Sequence, residues 1–132
     1  MKPETGIVIL NYGTYEQTIR NADILLAHNT SVFVVIVDNC SPGDDYEKMS
    51  AYYVEYGRAV VVETGENGGY SKGNNFGIRK MLEKYPDIEY IGIMNPDVRC
   101  EEDGMIEKLT GILNGGGIPE HGTYCPAHAR AQ

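Results

Sequence analysis

The chain has no tryptophan and only two phenylalanines, so its aromatic surface is carried by ten tyrosines. It also lacks any cluster of Lys or Arg. With 11 basic against 19 acidic residues the net charge is −8, which argues against nucleic-acid binding through a basic face. No run of about 18 apolar residues is present, and Met-Lys-Pro-Glu-Thr leads directly into an apolar strand, so neither a membrane span nor a signal peptide is expected. Cysteines are few and far apart: Cys40, Cys100 and Cys125 form no Cys-x-x-Cys pair, and His28, His121 and His128 are scattered. The expectation is reduced, unpaired thiols, no zinc site and a cytoplasmic protein. The P-loop pattern occurs nowhere, and Asn11-Tyr12-Gly13-Thr14-Tyr15-Glu16 stands where a dinucleotide fold would place Gly-x-Gly-x-x-Gly.

What is present is one domain's worth of alternating elements. The 132 residues are 42% apolar, enough for a single globular core and no second domain, so 1–132 is read as one unit. Gly6 to Leu10, Val32 to Val37, Ala59 to Val62 and Tyr90 to Met94 are short apolar runs of the kind that form strands covered on both faces. Between them lie helical periodicities. Thr14-x-x-Gln17 has the form of a capping box ahead of Ile19, Ala22, Leu25 and Leu26, and Asp44 or Asp45 can start a helix with Tyr46, Met49 and Tyr53 inward. Phe76, Ile78, Met81 and Leu82 mark a third helix, and Asp103 can cap a fourth carrying Met105, Ile106, Leu109 and Ile112. Gly122 to Cys125 reads as a fifth short strand. The order βαβαβαβα predicts an α/β domain with a mainly parallel sheet and right-handed crossovers.

Three strand ends carry polar residues that such a sheet would gather. The first opens into Asn11-Tyr12, the second ends at Asp38, and the fourth ends at Asn95-Pro96-Asp97, where Pro96 stops the ladder. In an open parallel sheet, ligands bind outside the carboxyl ends of strands. Asn95 and Asp97 can equally be residues that shape a turn and cap the next helix. After the third strand comes the most unusual segment, with four glycines and three asparagines in the eleven residues from Gly65 to Asn75. It permits left-handed backbone and close approach of a ligand to main-chain amides, and it places Lys72, Asn74 and Asn75 around a helix N-terminus that attracts anions. A flexible surface loop is the alternative.

Taken together, Ile7-Val8-Ile9-Leu10-Asn11-Tyr12, Val37-Asp38-Asn39-Cys40-Ser41, Glu66-Asn67-Gly68-Gly69-Tyr70-Ser71-Lys72-Gly73-Asn74-Asn75 and Met94-Asn95-Pro96-Asp97 occur in the order seen in family 2 glycosyltransferases of the GT-A fold. The chain resembles their nucleotide-sugar-binding half from about Gly6 to Leu113, and most of all the rhamnosyltransferase-like branch with Asn-Pro-Asp in place of Asp-x-Asp. The resemblance implies a Rossmann-like sheet of order 3-2-1-4 with helices on both faces. It implies that Tyr12 packs on the base, that Asp38 accepts from base or ribose, and that Asn67, Gly69, Lys72, Asn74 and Asn75 line the nucleoside and diphosphate beside Asn11 and Asn95. Asp97 would bind Mg²⁺ or Mn²⁺, weakly unless the donor is bound, because Asn95 offers an amide where the family often has a carboxylate. The implied reaction is inverting transfer of a sugar from a UDP-, dTDP- or GDP-linked donor to a glycan or lipid-linked acceptor. The chain stops before the region that supplies the family's catalytic base, so no base is assigned, and a non-catalytic binding module or inactive relic is the alternative. A missing second half would leave apolar surface for homo-oligomerisation, and lipid-linked acceptors would draw the protein to the inner face of a membrane.

Overall fold

The computed structural model describes residues 2–114 and 130–131. Its elements are β1 (Thr5–Asn11), α1 (Tyr15–His28), β2 (Val32–Asp38), α2 (Asp45–Tyr53), β3 (Ala59–Glu63), α3 (Tyr70–Lys84), β4 (Tyr90–Met94), α4 (Met105–Asn114) and β5 (Arg130–Ala131). The four long apolar runs pair in parallel in the order β3-β2-β1-β4, and β5 adds antiparallel to the outer edge of β4. The expected order 3-2-1-4 is therefore present. The Gly122 to Cys125 strand lies outside the described residues.

The central strands explain their own composition. Every residue of β2 is buried, and so is all of β1 except the half-buried Leu10, because both faces of the sheet are covered, which favours apolar side chains throughout. Alternate side chains go to opposite faces. Ile7, Ile9, Val34, Ile36 and Met94 pack under α1, α2 and α4, whereas Val8, Phe33, Val35 and Val37 meet α3 through Met81.

Helix α3 begins at Tyr70, well before the Phe76 expected from apolar periodicity, so the Gly/Asn segment forms its first turns as well as the loop. The reason is steric. A Cβ on Gly73 would lie 2.6 Å from Leu10 Cδ1, and one on Gly77 would lie 2.5 Å from Val8 Cγ1 and 2.7 Å from Val37 Cγ2. These two glycines let α3 sit directly on β1 and β2, which brings its N-terminus to the carboxyl ends of those strands.

Several local expectations are corrected. Thr14 makes no capping bond to α1; its hydroxyl donates to Asn11 Oδ1. Asp103 pairs with His28, and the Ile106 N–H at the start of α4 is accepted at 2.9 Å by Asn29 Oδ1, from 77 residues earlier in the chain. A buried long-range acceptor displaces the local one, which periodicity cannot foresee. Cys100 is fully buried. Cys40 is exposed and free. Met49 and Tyr53 are core, as expected of the α2 stripe. Burial first, and then the bond to Asp23, raise the Tyr53 phenol well above its ordinary pKa.

The close seating of α3 gives a paired test. Gly77→Ala should destabilise by about 1–3 kcal/mol through overpacking, even though alanine is the better helix former. Gly111→Ala on α4, where an added Cβ meets nothing within 4 Å, should stabilise by about 0.5–1 kcal/mol. Urea unfolding of both variants distinguishes close packing from ordinary helix propensity; equal gains would refute the steric argument.

Candidate functional site

The strand register puts Asn11, Asp38 and Glu63 side by side at the carboxyl ends of β1, β2 and β3. On the other side of β1, Ile9 pairs with Met94, so the Asn95-Pro96-Asp97 turn rises beside Asn11-Tyr12. Strands β1 and β4 are neighbours, and the crossovers on their two sides run in opposite directions. That is the switch point of the sheet, the place where open α/β folds form their ligand crevice.

The floor of this crevice is a buried polar network centred on Asn11. Its Nδ2 donates to Asp38 Oδ1 and to Asp45 Oδ2, each at 3.0 Å, and its Oδ1 accepts from Thr18 Oγ1 at 2.6 Å and from Thr14 Oγ1 at 3.3 Å. The carboxylates on one side and the hydroxyls on the other define which way the amide faces. Asp38 also takes the Ser41 hydroxyl at 2.6 Å and the Ser41 N–H at 3.2 Å. Cys40 adopts a left-handed φ of 60°, the tight turn that folds Ser41 back onto Asp38. Asp45 accepts the Tyr15 N–H at 3.2 Å, so the open N-terminus of α1 is satisfied by a carboxylate from the first turn of α2. Asn11 and Asp38 were expected at the site. Asp45, Ser41 and Thr18 were not; Thr18 alone carried a sign, as a polar residue on the face of α1 shared by Ala22, Leu25 and Leu26.

A second set of bonds shapes the glycine-rich loop. Asn39, 4% exposed, donates from Nδ2 to Asn67 Oδ1 at 3.1 Å and accepts from Thr64 Oγ1 at 3.1 Å. Asn67 Oδ1 in turn takes the Gly69 N–H at 3.2 Å, and Gly69 has a φ of 93° that suits a residue without Cβ. Lys72 is exposed and paired with Glu66 at 2.7 Å; that bond, and then the lysine charge, hold the Glu66 carboxyl below the usual range. The pair therefore loosens as pH falls through that lowered value. Asn74, expected near the helix terminus, is buried in the second turn and donates to the Tyr70 carbonyl, whereas Asn75 is exposed. The Tyr70 hydroxyl bonds Asn95 Oδ1 at 3.2 Å, joining the loop to the β4 turn across the end of β1.

Tyr12 is half exposed, and Asp97 is exposed with no hydrogen bond or ion pair among the described residues. No group of three His, Cys, Asp or Glu that would hold a metal occurs among those residues. The chemistry of the donor set still fits a hard divalent cation of the kind held by one or two carboxylates with the remaining positions filled by phosphate and water. Asp97 is an exposed, unpaired carboxylate on the β4 turn, and the Asn95 oxygen beside it is already engaged by Tyr70. No described helix is long and apolar enough to cross a membrane.

An open α/β sheet of order 3-2-1-4 with helices on both faces is the architecture of GT-A glycosyltransferases. The model of glycosyl transferase family 2 matches residues 7–117, and the chain belongs to that family. It is 30% identical over 138 residues to the low-salt glycan biosynthesis hexosyltransferase Agl10 of Haloferax volcanii, covering 96% of this chain but 42% of that protein. In fold it is similar to the mannosyltransferase PcManGT of Pyrobaculum calidifontis, solved with GDP-Man and Mn²⁺, with a TM-score of 0.67, 15% identity, 83% of this chain and 32% of that one covered. It is likewise similar to S. aureus TarS 1-349 in complex with UDP-GlcNAc, with a TM-score of 0.67, 17% identity, and 87% and 32% covered. The chain thus spans less than half the length of these relatives.

If Asp45 carries two N–H donors, Asp45→Ala should cost about 1.5–3 kcal/mol, the range for hydrogen bonds to a charged group. Asp45→Asn keeps an acceptor and should lose less. Chemical denaturation checks both; an Asp45→Ala variant as stable as the parent would show that the network does not hold the strand ends together.

Proposed function

We propose that this chain forms the donor site of a glycosyltransferase that takes its sugar from a nucleoside diphosphate. The observation that carries the reading is the convergence of Tyr12, Asp38, the Asn67 to Asn75 segment and Asp97 on one switch-point crevice, with their supporting residues already satisfied by internal bonds. A site preorganised in this way binds without first ordering its side chains.

The roles follow from exposure and spare bonding capacity. Tyr12 offers a half-exposed ring at the end of β1 for stacking on the base. Asp38 is 3% exposed and already receives Asn11 and Ser41, so it has at most one acceptor position left for the nucleoside and acts mainly by fixing the turn around it. Asn11 and Asn74 hold the frame, since both amides donate within the protein. Gly69 and Asn67 shape the loop over the phosphates, and Lys72, on leaving Glu66, supplies a cation to the diphosphate. Asn75 extends the same polar surface along α3. Asp97 would hold the divalent cation, Mg²⁺ or Mn²⁺, with the donor. Bound there, such a cation stabilises the charge that grows on the departing nucleoside diphosphate. This is how a chain of net charge −8 would retain an anionic donor.

Transfer would be inverting, to a glycan or lipid-linked acceptor, and the acceptor and catalytic base would come from surfaces other than this crevice. Neither Glu101 nor Asp103 is assigned as base: the first pairs with Arg99 and the second with His28. Association with a membrane face or with a second copy would use those other surfaces too.

Thermal unfolding with UDP, dTDP and GDP, each with and without Mn²⁺, tests the proposal. One nucleotide at about 100 times its Kd should add about 2.7 kcal/mol, several degrees for a domain of this size. The metal-dependent part should vanish in Asp97→Ala. No shift with any nucleotide would refute the donor-site reading.

A further inference from the structure

The inner face of α1 carries two polar residues among Ala22, Leu25 and Leu26. Thr18 reaches back to Asn11 at the end of β1. Asn21 reaches the other wall of the crevice: its Nδ2 donates to the Pro96 carbonyl oxygen at 2.7 Å, 75 residues away in sequence. Asn21 is 3% exposed, and its Oδ1 is buried without a partner among the described residues. Packing alone would be served by an apolar side chain, as at Ala22. A buried amide that leaves one acceptor unsatisfied is costly, so the bond it does make invites a functional explanation.

That bond falls on the group that decides the shape of the turn. The Val98 N–H donates to the Asn95 carbonyl at 3.1 Å, so Pro96 and Asp97 are the central residues of a four-residue turn. The two common turn types differ by a half rotation of the central peptide, whose carbonyl here belongs to Pro96. Proline at the first central position suits both types and does not choose between them. Among the described residues Cys40 is the one non-glycine with positive φ, so Asp97 has a negative φ and the form requiring positive φ is excluded. Asn21 grips the Pro96 carbonyl in the orientation belonging to the form observed. The Cα–Cβ direction of Asp97 turns with that peptide.

We infer that Asn21 is a positioning residue for the donor site: by holding the Pro96 carbonyl it fixes the central peptide of the β4 turn and aims the Asp97 carboxylate. This rests on the role given to Asp97 above. Helix α1 then gauges the crevice from both sides, tying Asn11 on β1 through Thr18 and the β4 turn through Asn21.

The test compares Asn21→Leu, similar in shape but without an N–H, with Asn21→Ala. In the free protein the Val98 amide should exchange about tenfold faster in both, the worth of one hydrogen bond, while β2 amides keep their rates. The gain in UDP, dTDP or GDP affinity produced by Mn²⁺ should fall about tenfold, with metal-free affinity unchanged. In an Asp97→Ala background, Asn21→Leu should have no further effect on binding. Unchanged Val98 exchange in Asn21→Leu, or a binding loss that persists without Asp97, would overturn the inference. If the parent chain binds no nucleotide at all, the donor-site reading fails. Val98 exchange then decides alone: acceleration supports the hold of Asn21 on the turn, and no change overturns it.

Discussion

One buried amide organises the carboxyl end of this sheet. Asn11 ends β1 with its N–H groups on two carboxylates and its oxygen on two threonine hydroxyls, and it is fully shielded from solvent. Asp38 and Asp45 are both buried, and like charges in a low-dielectric interior repel unless donors are shared between them. Asn11 is that shared donor. Ser41 and the N-terminus of α1 complete the set, each adding N–H or O–H groups to one carboxylate. The loops after β1 and β2 and the starts of α1 and α2 are thereby fixed relative to one another before any ligand arrives.

The other half of the crevice is fixed by contact. Because Gly73 and Gly77 allow α3 to touch Leu10, Val8 and Val37, the helix N-terminus is carried to the ends of β1 and β2. Asn39 then draws the Gly65 to Gly69 loop down onto β2, and Tyr70 spans from that loop to Asn95. The groups left with freedom are exposed ones: Tyr12, Lys72 and Asp97. Rigid supports beneath exposed side chains would suit the proposed site, which must admit, orient and release a charged ligand.

Much of this was legible in the sequence. The four apolar runs and the helical periods between them give the strands and their parallel pairing, because a strand buried on both faces must be apolar throughout, whereas the order 3-2-1-4 was implied by the family resemblance. The polar strand ends at Asn11, Asp38 and Asn95 stand out for the same reason. What the sequence hid is pairing at long range. Nothing local says that Asp45 serves α1, that Asn29 serves α4, or that Asn21 serves the β4 turn, since each bond joins residues at least 30 positions apart. The glycines were legible as special, but periodicity placed the start of α3 too late, because Gly73 and Gly77 contribute to the helix by what they lack.

The central claim is that the switch-point crevice holds a nucleoside diphosphate. Amide chemical-shift mapping of the free chain against UDP, dTDP and GDP with Mg²⁺ tests it most directly. The account predicts shifts concentrated at Tyr12, Asp38 to Ser41, Asn67 to Asn75 and Asp97. Shifts confined to the opposite end of the sheet, around Thr5, Arg58 and Ala59, would contradict it.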